Sequence, residues 1–119
     1  MAKGHEVRVR RIYDEPAAGD GARVLVDRLW PRGMTKEKAQ LDEWCKGIAP
    51  SAALRKWYGH QPERFEEFTR RYKDELTDSE RAEALLHLRA LASERILTLL
   101  TATKDAAISE AAVLATLMD

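Results

Sequence analysis

The sequence predicts an α/β fold: a short, mostly parallel or mixed sheet of about three to four strands with helices packed on it, in one domain spanning residues 1–119. Three observations lead there. Val7 and Val9 alternate with Arg8 and Arg10, the period of a half-buried strand. Ile96-Leu97-Thr98-Leu99-Leu100 is short and almost continuously apolar, which suits a central strand covered on both faces. Between them, Phe65, Phe68, Tyr72 and Leu76 recur at steps of 3, 4 and 4, the stripe of an amphipathic helix.

The first strand is expected over Glu6 to Tyr13. Pro16, Gly19, Asp20 and Gly21 then break the chain. A second strand is expected over Arg23 to Leu29, where Val24-Leu25-Val26 turns polar at Asp27 and Trp30-Pro31 ends the run. Four helices should precede the last strand. Thr35 can cap one that carries Leu41, Trp44 and Ile48, and Ser51 can cap another that carries Leu54 and Trp57 and ends at Gly59. Pro62 suits the first turn of the third. Thr77 and Glu80 have the spacing of a capping box for the fourth, which carries Leu85, Leu88 and Leu91. After the strand at 95–101, Asp105 precedes a final helix with Val113, Leu114 and Leu117. Trp44 and Trp57 are expected largely inside.

Composition removes several function classes. With 119 residues, 45% apolar and 34% charged, the chain is too apolar for disorder and too charged for a membrane protein. No apolar run approaches the roughly 20 residues of a bilayer span. Twenty basic residues balance twenty acidic ones, so net charge gives non-specific nucleic-acid binding no support. MAKGHEVRVRRIYDEP holds no signal-type apolar segment, and Cys45 is the single cysteine; both favour the cytoplasm. His5, His60 and His87 are too dispersed for a local metal motif, so no metal is expected, and no cofactor or oligomeric state can be read.

Ligands of open α/β sheets bind at the carboxyl ends of strands. Two such ends carry polar clusters: Asp27-Arg28-Leu29-Trp30-Pro31-Arg32-Gly33 and Thr101-Ala102-Thr103-Lys104-Asp105. If those strands are parallel neighbours, the clusters converge on a site suited to a small anion. Asp27, Lys104 and Asp105 are then the candidate catalytic residues, and Arg28, Trp30, Arg32 and Gly33 the candidate ligand-binding ones. Plainer roles stand beside these. Asp27 could pair with Arg28 or Arg32 or cap a turn, Trp30 could be core or pocket wall, Arg32-Gly33 only a turn, and Asp105 only an N-cap. His60 reads as structural, and Cys45 as an inert thiol on a helix.

Gly21-Ala-Arg-Val-Leu-Val-Asp-Arg-Leu-Trp-Pro-Arg-Gly33, with Leu41-Asp42, Ile48-Ala49-Pro50-Ser51, Phe65, Phe68, Tyr72, Leu97 to Leu100 and Lys104, resembles the YeaO-like family, domain of unknown function 488. The resemblance covers essentially the whole chain and names relatives without naming a reaction. It implies that Asp27, Arg28, Trp30, Pro31, Arg32, Gly33 and Lys104 are family-pattern positions. It also implies a departure. Where the family usually has His or Gln, then Asn, then a small residue entering the last helix, this chain has Ile108, Ser109 and Ala111.

Three classes of function remain open. One is an enzyme, or a degenerate relative of one, acting on a small anionic or phosphorylated compound. The second is a non-catalytic binding or regulatory module using the same pocket. The third, disfavoured by the balanced charge, is a nucleic-acid-associated protein using Arg8, Arg10, Arg11, Arg28 and Arg32 as a basic face and Trp30 for stacking.

Overall fold

The computed structural model describes residues 6–118. Its centre is a four-stranded, wholly parallel sheet in the order β1-β4-β2-β3. The strands are β1 (Val7–Arg11), β2 (Ala22–Leu25), β3 (Glu43–Trp44) and β4 (Leu97–Thr101). Every residue of β4 is buried, because β1 and β2 flank it and both faces are covered. Leu97 and Leu99 join Val24 and Val26 in the larger core. Leu100 and Leu25 point the other way, with Ile12 and Ala39, into a smaller one. This alternation fixes the register: Leu25 stands beside Leu100, and Val24 beside Leu99.

Among the described residues, five α-helices follow the chain: α1 (Lys36–Ala39), α2 (Ala52–Tyr58), α3 (Phe65–Glu75), α4 (Ser79–Glu94) and α5 (Glu110–Met118). The apolar stripe of α3 drives its docking: Phe68, Tyr72 and Leu76 are buried in the larger core. The buried Tyr72 hydroxyl donates to the Ile48 carbonyl at 2.5 Å. Ser51 caps α2 through the Leu54 N–H, and Gly59 ends it in the left-handed region at φ 52°. Thr35 caps α1 through the Lys38 N–H.

Several expectations need correction. Both early strands are shorter than the sequence suggests: β1 ends at Arg11 and β2 at Leu25. No described helix carries Leu41, Trp44 and Ile48. Gln40 turns left-handed at φ 47° and stops α1, and Trp44 lies in β3, paired with Leu25. Cys45 is therefore not helical; it is buried just after β3. Burial and the neighbouring Glu43 charge push its thiol up to about 11, which leaves it unreactive. Helix α4 is capped by Asp78, whose side chain accepts from the Arg81 N–H, while the Thr77 hydroxyl donates to the Asp74 carbonyl instead. Trp44 and Trp57 are half-buried rather than enclosed. The guanidinium of Arg71 lies 4.2 Å from the Trp57 ring centre, so that face is covered by a cation.

Candidate functional site

Because all four strands run parallel, their carboxyl ends share one edge of the sheet. There a cavity of about 450 Å³ opens, within the roughly 300–1,000 Å³ typical of small-molecule sites. Asp27, Arg28, Trp30, Arg32 and Lys104 all line it. Gly33 and Asp105 do not. Gly33 is an exposed turn residue at φ 74°, and the Asp105 carboxylate accepts from the Ala107 N–H as the cap of a short 3₁₀ turn. The plainer readings of those two residues therefore describe their places.

Asp27 is held by the end of the neighbouring strand. One carboxylate oxygen accepts from the Thr101 hydroxyl at 2.8 Å, and the other from the Ala102 N–H at 2.8 Å. Among the described residues it forms no ion pair with Arg28 or Arg32, so that alternative is set aside. Its carbonyl accepts from the Trp44 indole N–H at 2.7 Å. Trp30 is half-buried against the smaller core, edge-on to Trp44 with ring centres 5.3 Å apart, and its indole N–H donates to the Met34 carbonyl. With its donor committed, Trp30 serves as a wall. Tyr13 braces the opposite loop by donating to the Arg32 carbonyl at 2.8 Å.

Two charged residues of this cavity were not nominated from the sequence. Glu110, the first residue of α5, lines it half-buried and shares a hydrogen bond with Asp27. Burial, then that hydrogen bond and the Asp27 charge, push its carboxyl well above the ordinary range. Arg55 of α2 lines the same space, and its Nε donates to the Pro50 carbonyl at 3.2 Å. His60 also lines the cavity, exposed. Ser109 lines it too, but its hydroxyl donates to the Ala106 carbonyl and accepts from the Ala112 N–H. The Ile108 carbonyl takes the Tyr58 hydroxyl at 2.7 Å. At the departure positions the chain thus uses its polar atoms on itself.

The raised Glu110 pKa has a signed consequence. Above the unfolded value of 4.5 the unfolded chain has released this proton while the native protein still holds it. Stability therefore falls as pH rises through that window, with a slope of at most about 1.4 kcal/mol per pH unit for one proton. Asp20, Glu67 and Asp78 have lowered values and act in the opposite sense at lower pH, so the informative quantity is a difference. Glu110→Gln should gain stability relative to the parent as pH rises above 4.5. Urea midpoints of both proteins across that range would show it; a difference that does not change with pH would remove the neutral acid at Glu110.

The chain is thus a small α/β protein whose parallel sheet has a mixed-charge cavity at its carboxyl edge. Comparison with known proteins is more specific: the chain belongs to the DUF488 family, YeaO-like. The family model described as "Inactive DUF488-N3 subclade" matches residues 6–119. An uncharacterised protein of Mycobacterium tuberculosis is 50% identical over 119 residues, covering 100% of this chain and 98% of the relative. The uncharacterised protein YeaO of Escherichia coli is 39% identical over 109 residues, covering 92% and 93%. No solved structure matches the chain. Among the described residues, no helix is long and apolar enough to cross a membrane.

Proposed function

We propose that this chain is a degenerate relative of an enzyme that binds a small anionic or phosphorylated molecule in the strand-end cavity and does not turn it over. One observation carries the reading. Arg28, Arg32, Arg55 and Lys104 converge on the cavity, and among the described residues none of them is in an ion pair. Several arginines elsewhere are matched with acids, as Arg10 and Arg23 are with Asp20. Gathering unmatched cations in one concavity raises the local concentration of anions, and guanidiniums supply bidentate bonds to a phosphate or carboxylate. The description of the matching subclade as inactive supports binding without chemistry, as does the self-bonded Ser109 hydroxyl.

The hydrogen-bonded carboxyls of Asp27 and Glu110 favour a second reading, in which the chain still catalyses. A neutral acid beside a carboxylate can give and take a proton. Asp27 would then act as base and Glu110 as acid, with Lys104 and the arginines on the substrate's anion. The nucleic-acid reading loses ground, because Arg8 and Arg10 are paired with Glu6 and Asp20, and Arg11 donates to the Thr103 carbonyl.

Thermal shift with inorganic phosphate and a panel of phosphorylated and carboxylated metabolites tests the first reading, since a ligand of the native state raises apparent stability. Arg32 is exposed, so Arg32→Ala should change stability by less than about 1 kcal/mol. Affinity for a bound anion should fall by about 1.5–3 kcal/mol, the worth of a charge-assisted hydrogen bond. Release of product from any bound compound would favour the catalytic reading, and failure of every anion to bind would end both.

A further inference from the structure

We infer that the cavity takes a dipolar ligand, with its anionic group on Arg28, Arg32 and Lys104 and an ammonium or other N–H donor on the Asp27–Glu110 pair. This rests on the anion-binding reading above and extends it to the other end of the ligand. The two kinds of charge are separated by depth. Arg28, Arg32 and Lys104 are exposed at the rim, whereas Asp27 and Glu110 are half-buried. A simple anion would find its partners at the rim and leave the interior acids without use. Trp30 and the buried Phe68 line the same cavity and offer apolar contact to a short spacer.

The interior pair is built to accept. Thr101 and Ala102 fix both Asp27 oxygens, so the carboxylate cannot swing out to the rim cations. Glu110 is attached to the first turn of α5 and shares its hydrogen bond with Asp27. Without ligand, a proton between the two carboxyls keeps like charges apart. A ligand ammonium can take that proton's place. Glu110 then ionises, its proton leaves to solvent, and the two carboxylates face one cation. Arg55, on α2, supplies the remaining positive charge facing Glu110. Other titratable groups near the pair are Tyr58 on α2, which feels both Asp105 and Glu110, with His60 and Lys104 on the cavity lining.

Calorimetry with aminoethyl and aminobutyl phosphate, each against the alkyl phosphate of the same length, tests this on the full chain. At least one aminoalkyl phosphate should bind about tenfold or more tightly than its alkyl counterpart, the equivalent of one charge-assisted hydrogen bond. Repeating the titration in buffers of different ionisation heat should show more proton release for the aminoalkyl phosphate than for its alkyl counterpart, whose own phosphate titrates at about pH 6. In Glu110→Gln the preference and the extra release should both vanish, while Arg32→Ala should weaken both members of a pair. Equal binding of the paired phosphates to the parent protein overturns the dipolar inference and leaves the anion seat standing. Binding of neither overturns the anion seat as well. Should Glu110→Gln fail to fold, the extra proton release by the parent protein still decides.

Discussion

Asp20→Ala is expected to cost about 3–5 kcal/mol of stability, the usual result of stranding one member of a buried ion pair. Asp20 is 1% exposed and Arg23 5% exposed, both on the side of the sheet away from the helices that bury Val24 and Leu99. The carboxylate accepts from Arg23 at 2.5 Å, from Arg10 at 3.0 Å and from the Ala17 N–H at 3.0 Å. Burial alone would push this carboxyl up. The Ala17, Arg23 and Arg10 hydrogen bonds outweigh it and hold the group below its ordinary value. Arg23 spends its other N–H groups on the Ala39 and Gln40 carbonyls, and those neutral acceptors cannot balance its charge. Truncating Asp20 therefore leaves a guanidinium in the interior. Arg23→Met alone should strand Asp20 less severely, because Arg10 remains beside it. The double variant should lose less than the sum of the two single losses. Urea denaturation of the three variants measures this, and a loss below about 1 kcal/mol for Asp20→Ala would show that the pair is not buried in solution.

The parts of this fold that are legible in the sequence are those where burial is one-sided or complete. β4 reads as a buried strand because every one of its side chains is inside, and α3 reads as a helix because one stripe alone is. β3 is illegible for a physical reason. Leu41, Trp44 and Ile48 stand at helical spacing, but the chain is drawn onto the edge of β2 instead. The Asp42 N–H donates to the Arg23 carbonyl, and the Asp42 carboxylate accepts from the Arg23 N–H. This tertiary pairing overrides the local period. The cap of α4 falls one residue beyond the expected Thr77 because Thr77 and Asp78 are both good caps, and only the backbone path chooses between them.

The candidate site divides in the same way. Asp27, Arg28, Arg32 and Lys104 can be nominated because each follows an apolar strand, and a parallel sheet brings such positions to one edge. Nothing local distinguishes Glu110 from any acid in the first turn of a helix, where acids are favoured by the helix dipole. Its carboxyl becomes unusual only once α5 packs against β1 and β4 and sets it beside Asp27. Arg55 likewise looks like a solvated helix arginine until α2 closes over the cavity. The side chains that give the cavity its two-ended charge come from elements whose placement the sequence does not state.

Gly21→Ala is the other substitution expected to have a large effect, about 3 kcal/mol or more, through backbone strain and collision together. Gly21 has φ 64° and ψ −132°, a region that L-residues with a Cβ rarely enter. A Cβ there would also lie 2.1 Å from the Ile96 carbonyl oxygen. That oxygen cannot move freely, because it accepts the Ala22 N–H at 2.8 Å as β2 and β4 begin to pair. The clash would force apart the two central strands whose far ends hold Asp27 and Thr101, so the cavity should be disturbed along with stability. Gly33→Ala is the control. Gly33 has φ 74°, yet a Cβ added to it would meet nothing within 4 Å, so only the conformational cost of about 1–2 kcal/mol applies. Thermal or urea unfolding should rank Gly21→Ala well below Gly33→Ala. Equal losses would mean that positive φ alone matters at Gly21, and that β2 can shift away from Ile96 without opening the sheet.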